Sequence, residues 1–108
     1  MIRYDKLVRD RIPGIIAEGG MVPVVTSIHS DAEFLELLNK KLYEELSEYN
    51  KDQTIEELAD LLEVIYAAAA VKGYTAEQLD AVREAKAAER GRFEKRILLV
   101  GVTDKEEG

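Results

Sequence analysis

The sequence has no cysteine and no tryptophan, only two prolines and one histidine, and no long hydrophobic run. Without cysteine there is no disulfide framework and no thiolate metal site, so a cytoplasmic setting is expected. The longest apolar stretch, Val64 to Val71, is eight residues, far below the roughly 18–20 residues of a membrane span. The opening residues Met1 to Lys6 carry charge where a secretory signal needs an apolar block. Positive charge is also in deficit, with 15 Lys and Arg against 22 Asp and Glu and a formal net charge of −7. That balance excludes the basic footprint of a nucleic-acid binder. Neither a membrane nor a nucleic-acid polymer is expected as a partner.

What is present suffices for one domain. The chain has 108 residues, 46% of them hydrophobic, which is too apolar for a wholly disordered chain and about the size of a single domain. Pro13 suits the first turn of a short helix through about Glu18, stopped by Gly19 and Gly20. Val22 to Ile28 and Arg96 to Val100 are rich in β-branched and aliphatic residues, and read as two short strands, paired with each other or across a subunit interface. A charged tail beyond Val100 is expected to fray.

Three helices announce their own beginnings. Ser30-x-x-Glu33, Thr54-x-x-Glu57 and Thr75-x-x-Gln78 fit the capping box, in which two side chains satisfy orphan backbone donors reciprocally. The helices are expected over about 31–50, 55–72 and 76–90. Leu35, Leu38, Leu42, Leu46 and Tyr49 form the apolar stripe of the first, and Leu58, Leu61, Leu62 and Ile65 that of the second. The third is Ala-rich and covers a neighbour rather than forming a centre. The expectation is therefore a mainly helical, all-α domain with a small two-stranded β element. The exposed apolar faces exceed what one thin helical layer buries. Association into a dimer or tetramer, with helix pairs from two subunits completing a four-helix bundle, is expected.

Carboxylates gather on the first two long helices. Glu44, Glu45 and Glu48 lie on one, Glu57 and Asp60 on the other. At 100° per residue, Glu44 and Glu48 are about 40° apart, and Glu45 and Glu48, like Glu57 and Asp60, about 60° apart. An antiparallel hairpin with the short connection Lys51 to Thr54 brings all five to one edge. Like charges at this spacing repel by a few tenths of a kcal/mol per pair. A solvated acidic face fits this pattern; so does an oxygen-only site for a hard cation such as Mg²⁺ or Mn²⁺. Glu63, one step beyond Asp60, falls off the flank and is read as solvated.

The pattern Glu-Glu-x-x-Glu followed by Glu-Leu-Ala-Asp-Leu-Leu resembles that of the MazG-like, all-α nucleoside triphosphate pyrophosphohydrolases. Lys6-Leu-Val-Arg-Asp-Arg-Ile-Pro13 and Arg90-Gly-Arg-Phe-Glu-Lys-Arg-Ile97 resemble a small, single-domain, phosphoribosyl-ATP pyrophosphohydrolase-like subgroup. The resemblance covers about residues 4–99. In two respects the chain departs from the family. Eight residues, Tyr49 to Glu56, separate the acidic blocks, fewer than in longer MazG proteins. Arg92 stands where the pattern has Gly, and a side chain there disfavours positive φ.

The resemblance implies a Mg²⁺-dependent enzyme that cuts a nucleoside triphosphate between the α- and β-phosphates, releasing a nucleoside monophosphate and pyrophosphate. It implies metal-site roles for Glu44, Glu45, Glu48, Glu57 and Asp60. Of these, Glu45, or Glu44 in exchange with it, is the candidate to orient or deprotonate the attacking water. Lys6, Arg9, Lys86 and Arg90 are candidate phosphate contacts, since cations there suit bidentate or point-charge binding of phosphate. His29 reads as an ordinary surface or capping residue. Tyr43, Tyr49 and Tyr66 read as core or interface residues at helical spacing, with stacking on a base as the alternative. A non-catalytic, oligomeric nucleotide- or protein-binding regulator of the same fold is the competing expectation.

Overall fold

The computed structural model describes residues 1–105, in which four helices follow one another: α1 (Ile12–Glu18), α2 (Asp31–Asp52), α3 (Ile55–Val71) and α4 (Ala76–Arg90). Residues 106–108 of the charged tail lie outside the described residues. Pro13 occupies the first turn of α1. Each later helix starts at the expected cap: the Ser30, Thr54 and Thr75 hydroxyls accept from the N–H groups of Glu33, Glu57 and Gln78. Such a cap contributes about 1 kcal/mol. The reciprocal bond forms only at α4, where the Thr75 N–H donates to the Gln78 side chain at 2.9 Å. The Glu33 and Glu57 side chains do not return to their caps, and Glu57 is held instead among other carboxylates.

The α2–α3 connection is tighter than the expected four residues. α2 continues to Asp52, and Gln53 takes a left-handed conformation, φ 54° and ψ 37°. Its N–H donates to the Tyr49 carbonyl at 2.7 Å, closing the helix before Thr54 opens the next. The two helices then pack along each other as a hairpin, α4 packs only on α3, and α1 packs on no other helix. Leu38 of α2 and Val64 of α3 are the two buried hydrophobic residues among those described. Leu46, Leu58 and Leu62, all on the expected stripes, stay more than 40% exposed.

The expected two-stranded element does not form: no strand is present among the described residues. Val22 to Ile28 and Arg96 to Val100 carry strand-forming side chains, but a strand is completed by a neighbouring backbone, and two strands alone are marginal. Val22, Val24 and Val25 are exposed, as are Ile97, Leu98, Leu99 and Val100. At the Arg-Gly-Arg-Phe block the positive φ falls on Gly91 (+85°) and Arg96 (+55°), not on Arg92. Arg92 instead donates twice to Glu84, at 2.9 and 3.0 Å.

The chain is long and thin. Its radius of gyration is 19.5 Å and its extents are 69 × 31 × 21 Å, against about 13 Å for a compact chain of this length. Its accessible surface is 9838 Å², whereas a compact 12.1 kDa protein exposes about 6,000 Å². No helix is long and apolar enough to cross a membrane among the described residues.

Candidate metal centre

Seven-residue spacing governs where the acids lie. Leu38, Glu45 and Asp52 recur every seven residues on α2, as do Glu57 and Val64 on α3. Seven residues miss two full helical turns by only about 20°, so each set lines up along its helix. Leu38 and Val64 are the buried pair; Glu45, Glu57 and Asp52 continue the same lines toward the interhelix connection. Glu45 and Glu57, both half-buried, therefore take the place of apolar residues at one end of the helix–helix seam, and Asp52 lies exposed beyond them. Glu45, whose side chain is only 13% exposed, sits deepest among the ion-paired acids.

The seam assembles two groups of three. Oxygens of Glu45, Glu57 and Asp60 lie within 4.8 Å of one another, and so do oxygens of Glu48, Asp52 and Glu57. Glu57 belongs to both. Burial, and then the charges of Asp60, Asp52, Glu48 and Glu45, push its carboxyl above the usual carboxylate range. The donor set is all oxygen and triply anionic, which fits Mg²⁺ or Mn²⁺.

Glu44 takes a different position. It accepts from Lys6 Nζ at 3.2 Å and faces Lys41 Nζ at 3.5 Å, and it belongs to neither group of three. Burial raises its carboxyl, but the Lys6 hydrogen bond and the Lys41 charge together outweigh burial and leave it below the usual range. Arg9 donates to Asp60 at 2.7 Å. The segment before α1 is thus drawn onto the acidic edge by two ion pairs, Lys6–Glu44 and Arg9–Asp60, and Lys6 also lies 5.9 Å from the Tyr4 ring. Lys86 and Arg90 are exposed on α4 and make no ion pair among the described residues. The ion pairs of α4 are Arg83 with Asp80 and Glu84, and Arg92 with Glu84.

A groove of about 700 Å³ opens beside the seam, lined in part by Arg9, Phe34, Lys41, Glu45, Asp60 and Tyr66, within the size range of small-molecule sites. Glu63 is exposed, as expected, and also lines this groove. His29 is exposed beside the Ser30 cap, Tyr43 is 77% exposed, and Tyr49 is half-buried. Two residues at the site escape the sequence reading. Asp52 lies one turn after Glu48 but beyond the expected helix end at Asn50; a helix extended by two residues would have included it. Lys41 stands three and four residues before Glu44 and Glu45, an ion-pairing spacing that was legible. Compared with known proteins, the chain matches no family model, no curated protein and no solved structure.

Proposed function

We propose that the chain is a divalent-metal-dependent nucleoside triphosphate pyrophosphohydrolase of the MazG-like, phosphoribosyl-ATP pyrophosphohydrolase-like type. The observation that carries this reading is the convergence of Glu45, Glu57 and Asp60 within 4.8 Å, with Glu48 and Asp52 around the shared Glu57. Mutually repelling, partly buried carboxylates are costly unless a cation offsets them. A bound Mg²⁺ or Mn²⁺ supplies phosphate-charge neutralisation and an activated water. Glu57 and Asp60 would hold an ion in one group and Glu48, Asp52 and Glu57 in the other, and Glu45, the least exposed of the ion-paired acids, would orient or deprotonate the water, with Glu44 as its exchange partner. Lys6 and Arg9, already at the acidic edge, take the triphosphate. Lys86 and Arg90 are retained as phosphate contacts only if a second subunit brings them to the groove.

Association belongs to the same reading. The surface exceeds that of a compact chain by about 3,800 Å², the size of an obligate interface. We infer a dimer or tetramer in which hairpins from two subunits cover Leu46, Leu58 and Leu62. One observation favours the competing, non-catalytic reading: Lys6 and Arg9 already neutralise Glu44 and Asp60. Thermal unfolding with and without millimolar Mg²⁺ separates the two. A ligand at about 100 times its dissociation constant adds about 2.7 kcal/mol, so the enzyme reading predicts a clear rise in the midpoint. No rise with Mg²⁺ or Mn²⁺, with or without nucleotide, favours the regulator.

A further inference from the structure

Of the cations in ion pairs among the described residues, Lys41 is the least exposed, and both of its pairs are long. Its side chain is 18% exposed, against 44% or more for the cations of every other ion pair among the described residues. Its Nζ stands 3.5 Å from Glu44 Oε1 and 3.6 Å from Glu45 Oε1. A charge-assisted N–H···O bond is about 2.7–2.9 Å long, so the ammonium makes one long hydrogen bond, to Glu44, and closes tightly on neither carboxylate. By contrast Arg9, on the exposed side of the site, reaches Asp60 at 2.7 Å. A partly buried ammonium is stabilised only when its donors are met by close oxygens. This one has three donors and two distant acceptors.

Its surroundings say where a closer oxygen would come from. Lys41 lines both the large groove beside Glu45 and Asp60 and a smaller cavity of about 180 Å³ beside Lys6 and Glu44. It is one turn from the buried Leu38, a placement that lets its aliphatic stem lie along the seam while the head meets solvent. The local charge is also unbalanced: Glu44, Glu45, Glu48, Asp52, Glu57 and Asp60 are six carboxylates, and Lys6, Arg9 and Lys41 are three cations. When a divalent ion takes Asp60, Arg9 loses its acceptor, and Arg9 and Lys41, which both line the groove, become its positive side.

We propose that Lys41 is a phosphate-binding residue of this site, held between Glu44 and Glu45 until a polyphosphate supplies close oxygens. The proposal rests on the metal-site reading above and adds a specific ligand for the phosphate chain. The test is calorimetric titration of the full chain with Mn²⁺ alone, and then with inorganic pyrophosphate in saturating Mn²⁺. Wild type is compared with Lys41→Met, which keeps the stem and removes the charge, and with Lys41→Arg, circular dichroism confirming the helices of each. Lys41→Met is expected to bind Mn²⁺ at least as tightly as wild type and pyrophosphate at least tenfold more weakly. Lys41→Arg is expected to restore pyrophosphate binding to within threefold. Wild-type pyrophosphate affinity in a folded Lys41→Met chain overturns the proposal while leaving the metal reading intact. Weaker Mn²⁺ binding in Lys41→Met overturns it too, making Lys41 a support for the carboxylates. Failure of wild type to bind Mn²⁺ removes the metal reading, and the proposal with it. If Lys41→Met does not fold, Lys41→Arg decides: loss of pyrophosphate binding there, with Mn²⁺ binding retained, contradicts a phosphate contact that either cation can make.

Discussion

The Arg9 guanidinium donates to the Asp60 carboxylate across 2.7 Å, joining two residues 51 positions apart in the chain. Among the described residues it and Lys6–Glu44 are the two side-chain hydrogen bonds that tie the segment before α1 to the hairpin. Asp60 is also one of three converging carboxylates, the others being Glu45 and Glu57. A cation from the chain therefore competes with a metal ion for the same carboxylate.

Competition at Asp60 has a measurable sign. Both partners are exposed, so Arg9→Met is expected to change stability by less than about 1 kcal/mol. Mn²⁺ affinity should rise several-fold, because the ion no longer displaces a guanidinium. Pyrophosphate affinity in saturating Mn²⁺ should fall. Unchanged Mn²⁺ affinity would mean that Asp60 is not a ligand.

Stability should depend on pH in two opposing ways. Glu57 is raised in the folded chain, by burial first and then by Asp60, Asp52, Glu48 and Glu45. The folded state then holds its proton more tightly than the unfolded state does. Stability of the metal-free chain therefore rises as pH falls from neutrality toward the folded Glu57 value. Glu44 remains lowered, because Lys6 and Lys41 outweigh its burial, and Glu84 is lowered by Arg92 and then Arg83. Their contributions are present above their unfolded values and are lost as pH falls through their folded values. Melting curves in EDTA should show a gain on mild acidification and a loss at lower pH. Glu57→Gln should abolish the gain, raise the metal-free midpoint at pH 7, and weaken Mn²⁺ binding about tenfold or more.

The hairpin turn offers a test independent of function. A non-glycine residue in the left-handed region costs about 1–2 kcal/mol, and Gln53 closes α2 there. Gln53→Gly is expected to stabilise the chain by up to about 1 kcal/mol, read as a rise of several degrees in the midpoint. A fall would show that the Gln53 side chain makes a contribution larger than its backbone strain.

Much of this was legible in the sequence, because local signals and local structure coincide. Ser30, Thr54 and Thr75 mark the true helix starts, and Gly91 the true end of α4. The acidic residues were legible by periodicity, since Glu45, Glu57 and Asp60 sit on helices whose phase the leucines reveal. What failed was whatever depended on a second backbone or on a turn. Val22 to Ile28 looks like a strand, yet strand propensity reports fit to a pleated neighbour, and none is present among the described residues. Asp52 was missed because a left-handed glutamine, rather than a glycine, ends α2. The sorting of Glu44 away from Glu45 was invisible too, since it depends on Lys6, 38 residues distant.

The exposed leucines predict association. Sedimentation of the wild-type chain is expected to give a multiple of 12.1 kDa, and Leu62→Glu, on the exposed face of α3, to shift it toward the single chain. A wild-type monomer at micromolar concentration would contradict the four-helix arrangement and require another cover for Leu46, Leu58 and Leu62.

The most direct measurement is product analysis with ribo- and deoxynucleoside triphosphates, modified ones included, in Mg²⁺ or Mn²⁺ and in EDTA. The account predicts a nucleoside monophosphate and pyrophosphate in equal amounts from at least one substrate, with no turnover in EDTA. It predicts that Glu45→Gln still binds Mn²⁺ but turns over at least a hundredfold more slowly, within the usual contribution of a general base. Release of inorganic phosphate with a diphosphate product, full activity in Glu45→Gln, or no product from any triphosphate would contradict it.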